Sequence, residues 1–170
     1  MAYDVYDLHD FEDQLEPAVR TAIQAQLALA GITSAVQVLV TRDAYVDDTP
    51  RIEISFSLSI AMQQRTTQGQ ATPKQTPNAF EGKISVSVIT TRGVTPDNSD
   101  IHGRLRGVVR WTMAAGSKAF NSVELPYLQI LELLPEAQSP RVMDEKEQDV
   151  SVLDYHIWFA IQNSAWPALP

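Results

Sequence analysis

The stretch from Arg51 to Met62 (RIEISFSLSIAM) constrains the fold of this chain most strongly. Every second residue in it is apolar, and after Arg51 the residues between them are polar or small; the apolar set is Ile52, Ile54, Phe56, Leu58, Ile60 and Met62. Alternation with a period of two is typical of a β-strand with one buried face. Because strands of a parallel sheet are usually covered on both faces, the polar face favours an antiparallel sheet.

Composition narrows the class of protein. A chain of 170 residues predicts a single domain over residues 1–170, able to bury about 70% of its unfolded surface. The absence of cysteine excludes disulfides and thiolate chemistry. A net charge of −8 argues against non-specific nucleic-acid binding as the main activity. The acidic start lacks the basic residues of a secretory signal, and no apolar run approaches the roughly 18 residues of a membrane span.

The first regular element is predicted to be a helix from Pro17 to about residue 30. Proline is favoured in the first turn of a helix, and the residues that follow are good helix formers. A buried stripe at helical spacing is expected from Val19, Ala22, Ile23, Leu27 and Ala30. Gly31 follows directly and is the residue type that most often ends a helix.

Two long alternating segments bracket a polar one. After a short predicted strand at 35–41, the strand 51–62 is followed by QQRTTQGQATPKQTPN and then by a second alternating run, Phe80 to Thr91. This order predicts an extended β-hairpin that protrudes from the domain. Residues 63–79 would form its flexible loop or arm, either a plain surface loop or a segment that becomes ordered on a partner.

A second amphipathic helix is predicted from residue 101 to about residue 118. One face would carry Ile101, Leu105, Val108, Val109, Thr112 and Ala115. Gly103 and Gly107 lie four residues apart, which would allow another backbone to approach closely. Three arginines and Lys118 make the segment basic, either as a solvated face or as a contact surface.

The C-terminal part is predicted to contain two strands. Residues 125–134 (LPYLQILELL) suit a helix or a strand, and the prolines at both ends favour a strand. Residues 135–149 then form a polar connection to a last strand at 150–162. A change of phase predicts a bulge near residue 153. Trp158 would point away from the core, either beneath a helix or against another subunit.

The predicted fold is therefore α+β. It consists of a mixed, mostly antiparallel sheet of about five strands with two helices packed on one face and a long protruding β-hairpin.

The sequence contains no pattern typical of an active site. It has no phosphate-binding glycine loop, nucleophile elbow or H-E-x-x-H motif. The three histidines, His9, His102 and His156, lie in unrelated segments. The acidic cluster Asp144, Glu145, Glu147 and Asp149 lacks the spacing of a calcium-binding loop and is interpreted as a solvated turn. We therefore expect a protein that is not an enzyme and binds no metal or cofactor.

The C-terminal half resembles a known family. The run LPYLQILELLPEA, a polar turn and then VSVLDYHIWFAIQNSAWP, within residues 125–167, is similar to the closing part of tail terminator (tail completion) proteins of tailed bacteriophages. The order of elements along the chain is similar to that family too.

This resemblance implies a structural virion protein that forms a ring, usually a hexamer, at the end of the tail tube. Such a ring stops tube polymerisation and joins the tail to the head connector. The implied partners are further copies of the chain, the tail tube protein and a connector or neck protein, with assembly in the host cytoplasm. DNA would pass through the lumen without specific binding, and no membrane is involved.

The family has no catalytic residues to transfer to this chain. Charge favours an oligomer or tube interface at the basic and acidic positions Arg65, Lys74, Arg104, Arg106, Arg110, Asp144 and Glu145. Trp158 joins this set because it is predicted to point away from the core. An acidic start and an acidic turn facing basic segments of a neighbour would supply the two different patches that a closed ring requires.

Two alternatives stay open. The chain could be another neck, tail-tube or baseplate component, which would form filaments if it builds a tube. It could instead be a small-ligand-binding or enzymatic α+β domain, which predicts a pocket with convergent polar groups.

Overall fold

The computed structural model describes residues 8–32, 36–40, 48–59, 79–91, 96–120, 128–145 and 147–161. In chain order the elements are α1 (Leu8–Leu29), β1 (Gln37–Val40), β2 (Arg51–Ser59), β3 (Ala79–Thr91), α2 (Pro96–Phe120), β4 (Leu128–Gln138), β5 (Val142–Met143) and β6 (Gln148–Ile161). The predicted α+β class is confirmed. The sheet has six strands rather than about five, because the polar connection before the last strand contains the two-residue β5.

The sheet is mixed and mostly antiparallel. Its order is β1-β2-β3-β6-β4, and β5 also pairs with β6. The β1–β2 pair is parallel, whereas every other pair is antiparallel. The predicted hairpin is confirmed by a continuous β2–β3 ladder from Arg51↔Ile89 to Ser59↔Glu81. The expected arm at 63–79, and its protrusion, lie outside the described residues except for Ala79, which begins β3.

Both helices cover the same face of this sheet. The alternating residues of the central strands supply that face, and they are fully or almost fully buried: Ile52, Ile54, Ile84, Val86, Val88, Leu153, Tyr155, Ile157 and Phe159. From α1 and α2, Val19, Ile23, Leu105 and Val109 join the same cluster. Burying a side chain of this size contributes about 1.5–3 kcal/mol, so this layer is the main source of stability.

Helix α1 begins before Pro17, in the segment where Leu8, Phe11 and Leu15 have helical spacing. We expected the first turn at Pro17, but α1 starts at Leu8 and contains that proline. The apolar stripe explains the difference, because Leu15 is completely buried and lies four residues before Val19 on the same face. Pro17 itself is exposed, so its ring faces solvent while the buried residues on both sides hold the helix together.

The end of α1 is the one that the sequence predicts. Gly31 has a φ of 66° and lies in the left-handed region. Its N–H donates to the carbonyl of Ala28 at 3.0 Å, and the N–H of Ile32 donates to Leu27 at 3.1 Å. These two bonds form a Schellman motif, and both Leu27 and Ile32 are buried in the core. Ala30, which we assigned to the buried stripe, is exposed because it lies at this terminus.

Helix α2 is longer than predicted and differs at one edge of its buried face. Leu105, Val108, Val109 and Thr112 are buried as expected, whereas Ala115 is exposed and Met113 takes its place in the core. Within the described part of the chain, no other backbone approaches Gly103 or Gly107 closely. A Cβ added at either position would meet nothing within 4 Å, so both glycines border open space.

The irregular strand of the C-terminal part is β4 and not β6. The β3–β6 ladder runs without interruption from Thr91↔Gln148 to Ala79↔Ala160, so the expected bulge near residue 153 is wrong. The register shifts lie in β4 instead, after Ile130 and after Pro135. Pro135, which we expected to end this strand, lies within it, as an edge strand allows.

Candidate assembly interface

The predicted interface residues fall on different surfaces. Arg65 and Lys74 lie outside the described residues. The three arginines lie on α2, the two acids lie in the turn between β5 and β6, and Trp158 lies on β6. The sequence therefore did not identify one continuous site.

The arginines of α2 form hydrogen bonds within their own domain. Arg104 is exposed, and its Nη2 donates to the carbonyl oxygen of Ala30 at 3.1 Å, where α1 ends. Arg106 donates to the carbonyl oxygen of Ser139 at 3.4 Å. These contacts satisfy acceptors at a helix terminus and at a turn, a role that the sequence does not reveal.

Arg110 lies on the side of α2 that faces β4. Its Nη2 donates to the side-chain oxygen of Gln138 at 2.5 Å. A guanidinium has five donors, so one intramolecular bond leaves others for a further acceptor. Arg104 and Arg110 remain exposed.

Hydrogen bonds between Asp144 and Gln148 hold the acidic turn in place. Asp144 Oδ1 accepts the N–H of Gln148 at 2.8 Å, and the Asp144 N–H donates to the Gln148 carbonyl at 2.9 Å. Glu147 adopts a φ of 58° in this turn. Asp144 thus shapes the turn, while Glu145 and Glu147 are exposed beside it.

One acid of this cluster is not solvated as we expected. Asp149 is buried and paired with Arg141, because β6 has already begun at Gln148 and carries residue 149 into the sheet. No group of three metal-ligating side chains occurs in the part of the chain that the structure describes.

The sheet face opposite the helices carries Trp158. This face was predicted for Trp158, and the register places it between Glu81 of β3 and Glu132 of β4. Its ring lies 5.4 Å from the ring of His156, centroid to centroid. His156 Nε2 lies 3.5 Å from Glu81 Oε2, an ion pair when the imidazole is protonated. We had predicted either a covering helix or another subunit for Trp158, and neither helix among the described residues covers this face.

A second polar group lies on the same face. Lys83 Nζ and Asp154 Oδ2 are 2.6 Å apart, and Ser85 Oγ donates to Asp154 Oδ1 at 2.6 Å. Burial raises the pKa of Asp154, but the bonds from Lys83 and Ser85 outweigh it and leave that pKa below its ordinary value. The face is therefore an ordered array of paired charges.

A Ser–His pair lies inside the domain rather than in a cleft. His102 Nε2 is 2.8 Å from Ser151 Oγ, and its Nδ1 is 2.9 Å from Thr90 Oγ1. Ser151 is 0% exposed, and a hydroxyl rather than a carboxylate orients the imidazole. A nucleophile must reach its substrate, so we interpret this buried contact as a structural link between α2 and the sheet.

The exposed apolar side chains were not predicted from the sequence. Among the described residues, the large hydrophobic side chains that are exposed are Leu29, Trp111, Leu131, Leu134, Val142 and Met143. Four of these six lie on β4 and β5, at one edge of the sheet. The apolar character of residues 125–134 indicated a strand. Which of its side chains are exposed depends on the two register shifts of β4.

Comparisons with known proteins find similar solved structures at low sequence identity. No protein-family model and no curated protein matches the chain. A chain of a structure described as the virion of a native gene transfer agent particle is similar, with 13% identity over 86% of this chain and 94% of that chain, and a TM-score of 0.48. The gp17 protein of bacteriophage SPP1 is similar with 10% identity over 96% of this chain and 98% of that chain, and a TM-score of 0.38.

Both of these structures are of virion or phage proteins. In the described part of the chain, no helix combines the length and hydropathy that crossing a membrane requires.

Proposed function

We propose that this protein is a structural virion component that forms a ring at the end of a phage tail tube. The ring ends tube polymerisation and joins the tail to the head connector, and the protein carries out no catalysis. In this proposal its partners are copies of itself, the tail tube protein and a connector or neck protein.

The observation that supports the proposal best is the behaviour of the segment that resembles tail terminators. Within residues 125–167, strands β4, β5 and β6 pair into one antiparallel unit. The pattern that suggested the family therefore belongs to one structural unit and is not scattered over the domain.

The charges of the surface support a ring in preference to a two-fold dimer. Residues 101–115 contain three arginines and no acid, whereas the β5–β6 turn exposes Glu145 and Glu147. Two different and complementary patches on one chain suit head-to-tail contacts, and such contacts close into rings. With a net charge of −8, a lumen lined by this chain would let DNA pass without binding it tightly.

The mass of the purified protein tests the proposal. Light scattering after size exclusion, with negative-stain images of the same peak, should show a closed ring of about six subunits, as cyclic closure allows. Open filaments would favour a tube component instead. A monomer that also fails to bind the ends of tail tubes would contradict the proposal.

A further inference from the structure

One edge of the sheet combines apolar and acidic exposed side chains. Strand β3 takes one side of β6 along its whole length, so β4 and β5 share the other side and form the edge. Exposed here are three large apolar residues and three acids, which we call the acidic-apolar edge: Leu131, Leu134, Glu136, Val142, Glu145 and Glu147.

This edge is poorly suited to pairing with another strand. Pro135 provides no backbone donor, and the two register shifts of β4 interrupt the regular row of N–H and C=O groups. A partner of this edge would therefore contact its side chains rather than extend the sheet. The apolar side chains are 46–54% exposed and available for such contacts.

Helix α2 presents a basic and aromatic surface. Arg104 and Trp111 are seven residues apart, or about two helical turns, so they lie on the same side of α2. Trp111 is 68% exposed, and Arg104 retains free donor capacity beyond its bond to Ala30. Gly107 lies between them and borders open space. We call these three residues the basic-aromatic face.

The two surfaces do not overlap on the chain. Arg110 lies on the β4 side of α2, and it is about 120° around the helix from Arg104 at 3.6 residues per turn. One copy can therefore use its edge and its helix face at the same time. That is the condition for a head-to-tail contact that continues from copy to copy.

We propose that the acidic-apolar edge of one copy docks on the basic-aromatic face of the next copy. This inference deepens the proposed ring function and rests on it. Tryptophan and arginine are the residues that most often dominate binding energy at interfaces. Here they meet apolar side chains and carboxylates, so hydrophobic burial and charge both favour the contact. A second copy is the occupant because one chain carries both complementary surfaces.

Cross-linking between two single-cysteine proteins tests the contact directly. The natural chain has no cysteine, so introduced thiols are the only ones present. Ala115 is exposed four residues after Trp111, and Glu145 is exposed in the edge. An Ala115→Cys protein mixed with a Glu145→Cys protein should form a disulfide-linked dimer under mild oxidation. A mixture of Ser57→Cys, at an exposed position of β2, and Glu145→Cys should form none.

Two further variants separate docking from folding. Gly107→Leu should stabilise α2, because glycine disfavours helix, while it fills the space that the neighbour needs. Trp111→Ala removes the aromatic anchor. In each variant the concentration at which rings dissociate should rise at least about tenfold, as expected for a residue at the centre of an interface. Ala25→Leu, an exposed change on α1, should leave that concentration unchanged.

The outcomes distinguish this inference from the function that it rests on. If the natural protein forms no ring and also fails to bind the ends of tail tubes, the proposed function fails and the inference fails with it. If rings form but the cysteine pair does not react and both α2 variants dissociate like the natural protein, the inference is overturned while the proposed function stands. A disulfide between two copies of Ala115→Cys alone would indicate a two-fold contact and also overturn it.

Discussion

The stability of this protein should fall between neutral and mildly acidic pH, and His102 should be the cause. The His102 ring is 1% exposed and lies between the hydroxyls of Thr90 and Ser151. Burial lowers its pKa, and Arg141 and Arg106 lower it further, against the opposing effect of Asp149. The folded protein therefore holds the neutral imidazole, while the unfolded chain titrates near its ordinary pKa of 6.5.

The sign and size of the effect follow from linkage. Because the folded-state pKa is the lower one, the contribution of His102 is fully present above about pH 6.5 and is lost as the pH falls towards the folded-state pKa. Within that window the free energy of unfolding should decrease by about 1.4 kcal/mol per pH unit for one proton. Above the window His102 should contribute no slope.

Urea unfolding followed by tryptophan fluorescence between pH 5.5 and 8.0 measures this effect, at protein concentrations too low for assembly. His102→Gln cannot titrate, so its stability should depend less on pH in this window than that of the natural protein. The matched control is His156→Gln on the open sheet face, which should keep the fall due to His102. Parallel stability curves for the natural protein and His102→Gln would refute the reasoning, as would an NMR titration that places the folded-state pKa of His102 above 6.5.

Four further substitutions test the fold itself, each by the free energy of unfolding in urea. Gly31→Ala should lower the free energy of unfolding by about 1 kcal/mol or more, because residue 31 has a φ of 66°. Gly103→Ala, at a helical position bordered by open space, should instead raise it by about 0.5–1 kcal/mol. Equal effects of the two substitutions would contradict the role of φ. Tyr155→Phe should leave stability unchanged or raise it, because the buried hydroxyl has no hydrogen-bond partner among the described residues; a loss above about 1 kcal/mol would reveal a partner. The pKa of Asp154 is lowered in the folded protein, so its contribution to stability is present above its ordinary pKa of 3.8 and is lost as the pH falls. Asp154→Asn should therefore reduce the loss of stability below about pH 4. An unchanged dependence of stability on pH in that acidic range would contradict this.

The sheet was predictable because burial imposes a period of two on β2, β3 and β6. In β2, Ile52 and Ile54 are fully buried, and Glu53 and Ser55 between them are partly exposed, as the alternation requires. Gly31 was predictable for a similar reason, because few residues other than glycine adopt its backbone conformation.

Element boundaries were less predictable wherever a proline lies inside an element. Pro17 and Pro135 were both taken as boundaries, and both lie within elements. At each position the ring lies on an exposed surface, and contacts on both sides keep the element intact. Tertiary packing therefore overrides the local preference of proline for the ends of elements, and a single sequence does not show that packing.

The candidate interface was the least predictable part, because charge alone does not reveal whether a side chain faces its own domain or a neighbour. Arg106 and Arg110 are basic residues on a helix, yet each has a hydrogen bond to the segment Gln138–Ser139 of its own chain. These bonds fix α2 against the edge of the sheet. The same arginines that suggested an interface thus place the acidic-apolar edge at a defined position beside α2.

The edge itself resolves an apparent conflict in the sequence. Exposed leucines on an edge strand invite aggregation, and proteins usually protect such edges with proline, bulges and charges. Strand β4 has all three protections, in Pro135, in its two register shifts and in Glu132 and Glu136. Those features block uncontrolled pairing of strands but leave the apolar side chains exposed. An edge that resists sheet extension and still presents apolar surface is suited to a contact made by side chains rather than by strand pairing.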